Sequence, residues 1–291
     1  MISASLLTPI PDALAKILGE RYGIPATEIA LARFVIQTLT AMPLLLATEG
    51  ASGFRVRHLG LNLLRGSLMA IGSSAFFVAL RAMPLADAIA IFFVQPMIVT
   101  LLSIMFLGEA IDLRRVVAVL VGFGGALLII RPNMLVLGWV ATLPLVCALS
   151  FAIYLVAGRH LAKTASSLGM HFYTGLGGAI SILLIMFLGS STDIKALWIP
   201  LAVAGSTWHL VVVMGAFASL VHLMYIQAYR LAPASLLAPF GYFEIVSAAV
   251  LGLALFHEFP DFIKAFGMVV IAASGVALIW AERSRRAESL I

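Results

Sequence analysis

One long segment of this chain is written twice. Residues 83–115 read MPLADAIAIFFVQPMIVTLLSIMFLGEAIDLRR, and residues 230–261 read RLAPASLLAPFGYFEIVSAAVLGLALFHEFPD. At a constant offset of 149 residues, Arg81 falls on Arg230, Pro84 on Pro233, Gln95 on Glu244, Glu109 on Glu258 and Asp112 on Asp261, without a gap. An internal repeat of this length constrains the fold before any local reading does. The repeated unit is itself a membrane span. Leu85 to Leu107 is almost wholly apolar and ends at an abrupt polar edge. As a helix it would be roughly 35 Å long, enough to cross a bilayer with some tilt.

The rest of the chain has the same character. Of 291 residues, 63% are hydrophobic and 11% charged. A soluble domain carries about 25% charged residues, so this chain could not cover itself with polar groups. A polytopic membrane protein is the class that fits. The net charge of +5 does not imply nucleic acid, because the basic residues are scattered between apolar runs. The single cysteine, Cys147, rules out an intrachain disulfide, and no His/Asp/Glu/Cys cluster has metal-ligand spacing. A secretory signal is not expected at the start, where Pro9, Pro11 and Asp12 interrupt the apolar run.

Ten spans are predicted, near 2–19, 28–47, 59–81, 84–107, 113–131, 136–158, 168–189, 207–229, 233–256 and 263–281. All should be helices, since lipid offers the backbone no hydrogen bonds. The first is the weakest. It is either a short, polar, cavity-facing helix or one whose true start lies upstream. Lys and Arg counted by loop favour both termini in the cytoplasm, ten against five. The offset moves the third, fourth and fifth spans onto the eighth, ninth and tenth. Five spans per repeat is odd, so the second repeat must enter the membrane upside down. The expected architecture is all-α and integral to the membrane: ten transmembrane helices as two inverted five-helix repeats, residues 1–133 and 134–282, with a tail at 283–291. Such proteins place a solute site near the midplane, where the repeats meet.

Polar residues inside the spans are the candidate site. Glu244 and its repeat partner Gln95 share mid-membrane depth. A carboxylate there costs several kcal/mol, about 2.5–3.5 on insertion scales, unless a wet cavity or a partner receives it. Glu244 could recognise an amine or carry a proton, or could be buried for packing alone. Tyr242 stands beside it, and Pro96 and Pro239 should free carbonyls nearby. Arg65, which lies with Asn62 in the inner half of the third span, could bind an anionic group, pair with Glu244 or snorkel to the cytoplasmic interface. His222 could relay protons, and Asp87 could gate the outer end or simply start a helix. Asp12 and Lys16, spaced i, i+4, can pair on one helix face, and Arg33 could join them. Glu109 and Glu258 read as helix-corner residues, each three positions before an aspartate.

The words DALAK (12–16), LLRG (63–66), ALRAMPLADA (79–88), QP (95–96), LGE (107–109), RPN (131–133) and AYRLAPASLLAPF (228–240) resemble, in order and spacing, the EamA-type branch of the drug/metabolite transporter superfamily. The wording is similar to a bacterial subgroup that includes carriers proposed for S-adenosylmethionine and riboflavin. The resemblance covers both halves. It implies ten helices, cytoplasmic termini, a central cavity and transport of small organic solutes across the inner membrane. One departure is Phe256-His257-Glu258, where a glycine commonly precedes the acid.

The expected function is therefore secondary transport, by alternating access, of a small metabolite such as an amino-acid derivative, a nucleoside-type or a vitamin-like solute. No nucleotide-binding motif is present, so the solute gradient, a proton or another ion must drive it. Glu244, Tyr242 and Gln95 are the first candidates to line the cavity, with Arg65, His222 and Asp87 next. No cofactor and no catalytic residue is expected. The alternative is an integral membrane lipid-modifying enzyme, which would need His, Asp or Ser clustered at one membrane face. The sequence leaves the oligomeric state open.

Overall fold

The computed structural model describes residues 1–108, 113–130, 138–189, 207–237, 240–241, 243–257 and, of 261–277, all but 264, 271–272 and 275. Glu109, Asp112, Tyr242, Pro239 and Glu258 lie outside the described residues. The long helices are α1 (Ile2–Leu7), α2 (Pro9–Arg21), α3 (Ala26–Glu49), α4 (Leu59–Leu80), α5 (Leu85–Phe92), α6 (Gln95–Leu107) and α7 (Leu113–Ile130). They continue with α8 (Thr142–Leu161), α9 (Ser167–Gly189), α10 (Trp208–Leu231), the short α11 (Ala234–Leu237) and α12 (Phe243–Phe256). No strand occurs among the described residues. The fold is that of an all-α integral membrane protein, and the predicted spans fall on its helices as far as they are described; the tenth, 263–281, lies partly outside the described residues.

Five helical stretches are long and apolar enough to cross a bilayer outright: Ala26–Phe54, Leu59–Leu80, Gly138–Leu161, Ser167–Leu188 and Trp208–Leu231. Their outer faces need lipid. Phe187 and Leu188 are each 69% exposed, as is Phe106 on the shorter α6, which in water would form aggregation-prone patches.

The duplicated stretch is not one straight helix in either copy. α5 ends at Phe92 and α6 begins at Gln95, with Phe93 and Val94 in a turn between them. In the second copy α11 is given to Leu237 and α12 starts at Phe243, with Phe240 and Gly241 between them in a tighter 3-10 turn. Pro96 sits in the first turn of α6, where its missing N–H belongs to the set that has no helical partner anyway. The proline therefore opens a half-helix instead of kinking a continuous one. Broken helices at matching positions of two repeats are the usual framework of a midplane solute site.

The halves are held together by close crossings. α9 lies against both α3 and α4, α4 against α8, and α10 against α3. Glycine permits the tightest of these. A Cβ built on Gly66 would stand 2.5 Å from the Thr174 carbonyl oxygen and 2.6 Å from the Gly178 nitrogen. Small residues at such crossings let backbones approach where no hydrophobic effect drives them together.

Candidate functional site

Charges that the apolar sequence carries inside its spans converge on one central cavity. Its wall takes Thr8 and Asp12 from the first span, Arg33 from α3, Ser73 and Phe76 from α4, Phe92 from α5, Phe151 from α8, His222 and Tyr225 from α10, and Glu244 from α12. The cavity thus lies between the two copies of the repeat. The room it leaves for water-sized molecules is about 60 Å³, within about 500 Å³ of space between atoms.

Arg33 is the hub. Its Nη1 donates to Ser73 Oγ at 2.9 Å. Its Nη2 lies 3.0 Å from His222 Nδ1 and 3.1 Å from Nε2. His222 Nδ1 is also 2.9 Å from the Ala218 carbonyl. A ring that donates from Nδ1 to that carbonyl keeps Nε2 free to accept from Arg33, since a guanidinium has no acceptor. Asp12 attracts Arg33 through the cavity. Arg33 Nε is buried without a partner, so the fork retains a donor.

Glu244 sits in the first turn of α12, where the helix dipole favours a carboxylate. It is buried, and the Tyr225 hydroxyl donates to its Oε2 across a long 3.5 Å. Tyr225 in turn is reached from Thr8 Oγ1 and Ser5 Oγ, both at 3.4 Å. One phenol therefore ties α1 and the turn before α2 to the half-helix carrying the acid. Around these charges stands an aromatic wall. Phe151 meets Phe92 at 5.7 Å and Tyr225 at 5.8 Å, both edge-on, and Phe76 meets Phe92 at 6.0 Å.

The candidates read from sequence divide. Glu244 and His222 line the cavity. Gln95 is buried at the first residue of α6 but is not among the lining side chains. Asp87 lies in the first turn of α5, half-buried, also away from the lining. Tyr242 is outside the described residues. Arg65 does not snorkel. It is 1% exposed, its guanidinium 4.4 Å over the Tyr154 ring with Nε donating to the Tyr154 carbonyl at 3.3 Å. Tyr154 stacks on Phe151, so Arg65 stands one aromatic ring behind the cavity wall. Nearby, Gln37 Nε2 donates to the His171 carbonyl at 3.0 Å, and His171 Nε2 lies 2.9 Å from Ser219 Oγ. Lys16 does not pair with Asp12. It turns to Glu20 at 3.8 Å and to the Met83 carbonyl at 3.4 Å, with its ammonium 4.7 Å over the Phe256 ring. Arg33 shares the cavity wall with Asp12 without it.

Asp12, Arg33, Ser73 and Tyr225 were not chosen from sequence as cavity residues. The signal that could have found Asp12 and Arg33 is the rule that any ionisable residue inside a span is functional by default. Among the described residues no group of His, Cys, Asp and Glu could hold a metal ion. The site can hold a cationic group between two carboxylates, an anionic group on one guanidinium, and a flat ring on the phenylalanines.

A model of the EamA-like transporter family matches the chain twice, over residues 2–131 and 138–281. The chain is 26% identical over 281 residues to an S-adenosylmethionine uptake transporter of Rickettsia felis, covering 96% of this chain and 91% of that one. It is 28% identical over 261 residues to a riboflavin transporter of Brucella anthropi, with 90% of each covered. It is 27% identical over 280 residues to a pseudopaline exporter of Pseudomonas aeruginosa, covering 95% and 93%. A protein crystal structure superposes with a TM-score of 0.70 at 19% identity, over 95% of this chain and 96% of the other, a likeness of fold.

Proposed function

The chain belongs to the EamA-like transporter family, and from that premise we propose that its central cavity carries an amphoteric solute, one bearing a cationic group, a carboxylate and a flat ring. The protein is a secondary transporter of small metabolites. The observation that carries the finer reading is that Asp12, Glu244 and Arg33 line one cavity together with Phe76, Phe92 and Phe151. In a water-poor interior each charge is costly unless a counter-charge meets it. A solute with both signs supplies both. Its cation lies between Asp12 and Glu244, its carboxylate on the spare donor of Arg33, and its ring on the phenylalanine wall. Amino-acid derivatives with a nucleoside-type or vitamin-like ring fit this pattern; the relative named for S-adenosylmethionine agrees with it in all three groups, and the one named for riboflavin in the ring alone.

A pocket for an organic solute runs to about 300–1,000 Å³. The roughly 60 Å³ open here to water-sized molecules belongs to a closed arrangement, and the solute enters when one repeat rocks against the other. We further propose that a proton on Glu244 balances the empty cavity and leaves when the cation arrives. The same reading puts the protein in the inner membrane with both termini cytoplasmic, repeats at 1–133 and 134–282, and no chemical change to the solute.

The test is uptake into proteoliposomes by wild type and Glu244→Gln, with S-adenosylmethionine and riboflavin as the first solutes. The variant is expected to lose most transport and its dependence on a proton gradient. Transport unchanged in rate and pH dependence would remove Glu244 from the mechanism.

A further inference from the structure

Sharing no lining residue with the central cavity, α6 and α8 leave a cleft on the outside of the helical bundle. Its floor is apolar: Leu61, Leu102, Phe106, Ile153, Ala157 and Leu161 enclose about 520 Å³. At Phe106, Leu107 and His160 this space meets a second hollow of about 460 Å³, whose wall adds Arg159, Lys163 and Arg230. The two hollows share those three residues, so they form one groove with an apolar body and a basic head. No acidic residue lines either part among the described residues.

The basic head is partly fixed in advance. Arg159 Nη1 donates to the carbonyls of Tyr229 at 3.1 Å and Arg230 at 2.8 Å, capping the end of α10. Arg230 Nη1 donates to Ser167 Oγ at 3.3 Å. Those bonds hold two guanidinium groups at the rim while leaving most of their donors open. Lys163 and His160 are exposed, and neither forms an ion pair among the described residues. Mutual repulsion of Lys163 and the two guanidinium groups would spread them into solvent unless an anion gathers them.

We propose that this groove is a binding site for an anionic phospholipid, its phosphate held among His160, Lys163 and Arg230 and one acyl chain lying along Leu102, Ile153 and Ala157. A free phosphate would satisfy the head and leave the apolar body without an occupant. A zwitterionic lipid would fill the body and meet the basic rim with a choline cation. The anionic phospholipid is complementary to both parts, and basic pockets between transmembrane helices are where such headgroups lodge. The site rests on the membrane fold alone and not on the identity of the transported solute. Its position has mechanical meaning. α6 is the half-helix of the first repeat that begins at Gln95, and α8 belongs to the second repeat, so a lipid wedged between them touches both halves that must move.

Native mass spectrometry of the delipidated full chain in detergent tests this, with phosphatidylglycerol and phosphatidylcholine of identical acyl chains and with inorganic phosphate. Wild type is expected to retain phosphatidylglycerol at about one-tenth the concentration needed for phosphatidylcholine. His160→Gln with Lys163→Gln should bring the two lipids within about twofold. Ile153→Trp, an exposed position that narrows the apolar body, should weaken both lipids about tenfold. Unshifted melting without added lipid shows that the variants are folded. Equal retention of the two lipids by wild type overturns the proposal, as does an undiminished preference in the double variant. Phosphate that displaces the lipid and binds Ile153→Trp equally well would make this a free-anion site instead. None of these readings depends on transport, so failure here leaves the central cavity's role untouched.

Discussion

Gly108 and His257, 149 residues apart and equivalent in the two repeats, both hold left-handed backbone, with φ of 65° and 57°. Each directly follows a half-helix, α6 and α12 respectively. Gly108 closes its helix by donating its backbone N–H to Ser103. The two corners share one backbone shape, and at 257 the strain falls on a residue with a Cβ. For an ordinary residue that conformation costs about 1–2 kcal/mol. Because His257 is exposed, His257→Gly loses little contact. It should stabilise the protein by about 1 kcal/mol and raise the melting midpoint by about 2–4 °C. Differential scanning fluorimetry in detergent checks it; a lower midpoint would mean that the imidazole makes a stabilising contact.

Gly66 tests the opposite case. Its position admits no Cβ, because the Thr174 carbonyl and the Gly178 nitrogen are both backbone atoms and cannot swing aside. Gly66→Ala must push α4 and α9 apart, at about 1–3 kcal/mol for overpacking. Gly124 in α7 has nothing within 4 Å of the same construction, so Gly124→Ala should be neutral or gain slightly from helix propensity. Equal midpoints for the two variants would contradict the close α4–α9 crossing.

Tyr225 carries a sharper functional expectation. Its hydroxyl is the shared partner of Glu244, Thr8 and Ser5. All three bonds are long, so the phenol contributes modestly to stability, about 0.5–1.5 kcal/mol. Tyr225→Phe keeps the ring against Phe151. It should shift the melting midpoint little, while transport falls about threefold to tenfold because Glu244 loses its donor. Parallel melting and proteoliposome uptake separate the two effects; a large drop in stability with unchanged turnover would make Tyr225 a packing residue.

The fold was legible because hydrophobic runs mark spans and a fixed offset marks a repeat. The span expected at 59–81 is α4 at Leu59–Leu80, and that expected at 207–229 is α10 at Trp208–Leu231. The break at Phe93 and Val94 was not legible as two separate helices, since FFVQP continues the apolar run; Pro96 marked only freed carbonyls nearby, and the one four residues before it, on Phe92, ends α5. Glu244 and His222 were found as polar residues in apolar surroundings. Asp12 and Arg33 satisfied the same rule, but the i, i+4 spacing of Asp12 and Lys16 offered a local partner that the tertiary structure does not use. What joins Asp12 to Arg33 is the meeting of α2 and α3, which no local pattern encodes.

That meeting supplies the last expectation. Asp12 and Arg33 face one cavity and attract each other, while Arg33 also holds Ser73 and His222. Arg33→Gln removes the charge and most of the fork, leaving two carboxylates facing each other across the cavity. Asp12→Asn leaves the guanidinium without the carboxylate that attracts it. Each should reduce transport at least tenfold, about 1.4 kcal/mol or more. If the pair acts as a unit, the second substitution adds little to the first, and the double variant transports better than the product of the two losses predicts. Coupling between residues in one charge network runs to about 0.5–3 kcal/mol. Uptake rates for the four proteins at one solute concentration below saturation give the cycle directly. Strict additivity would mean that Asp12 and Arg33 act on different parts of the solute, with their attraction across the cavity incidental to transport.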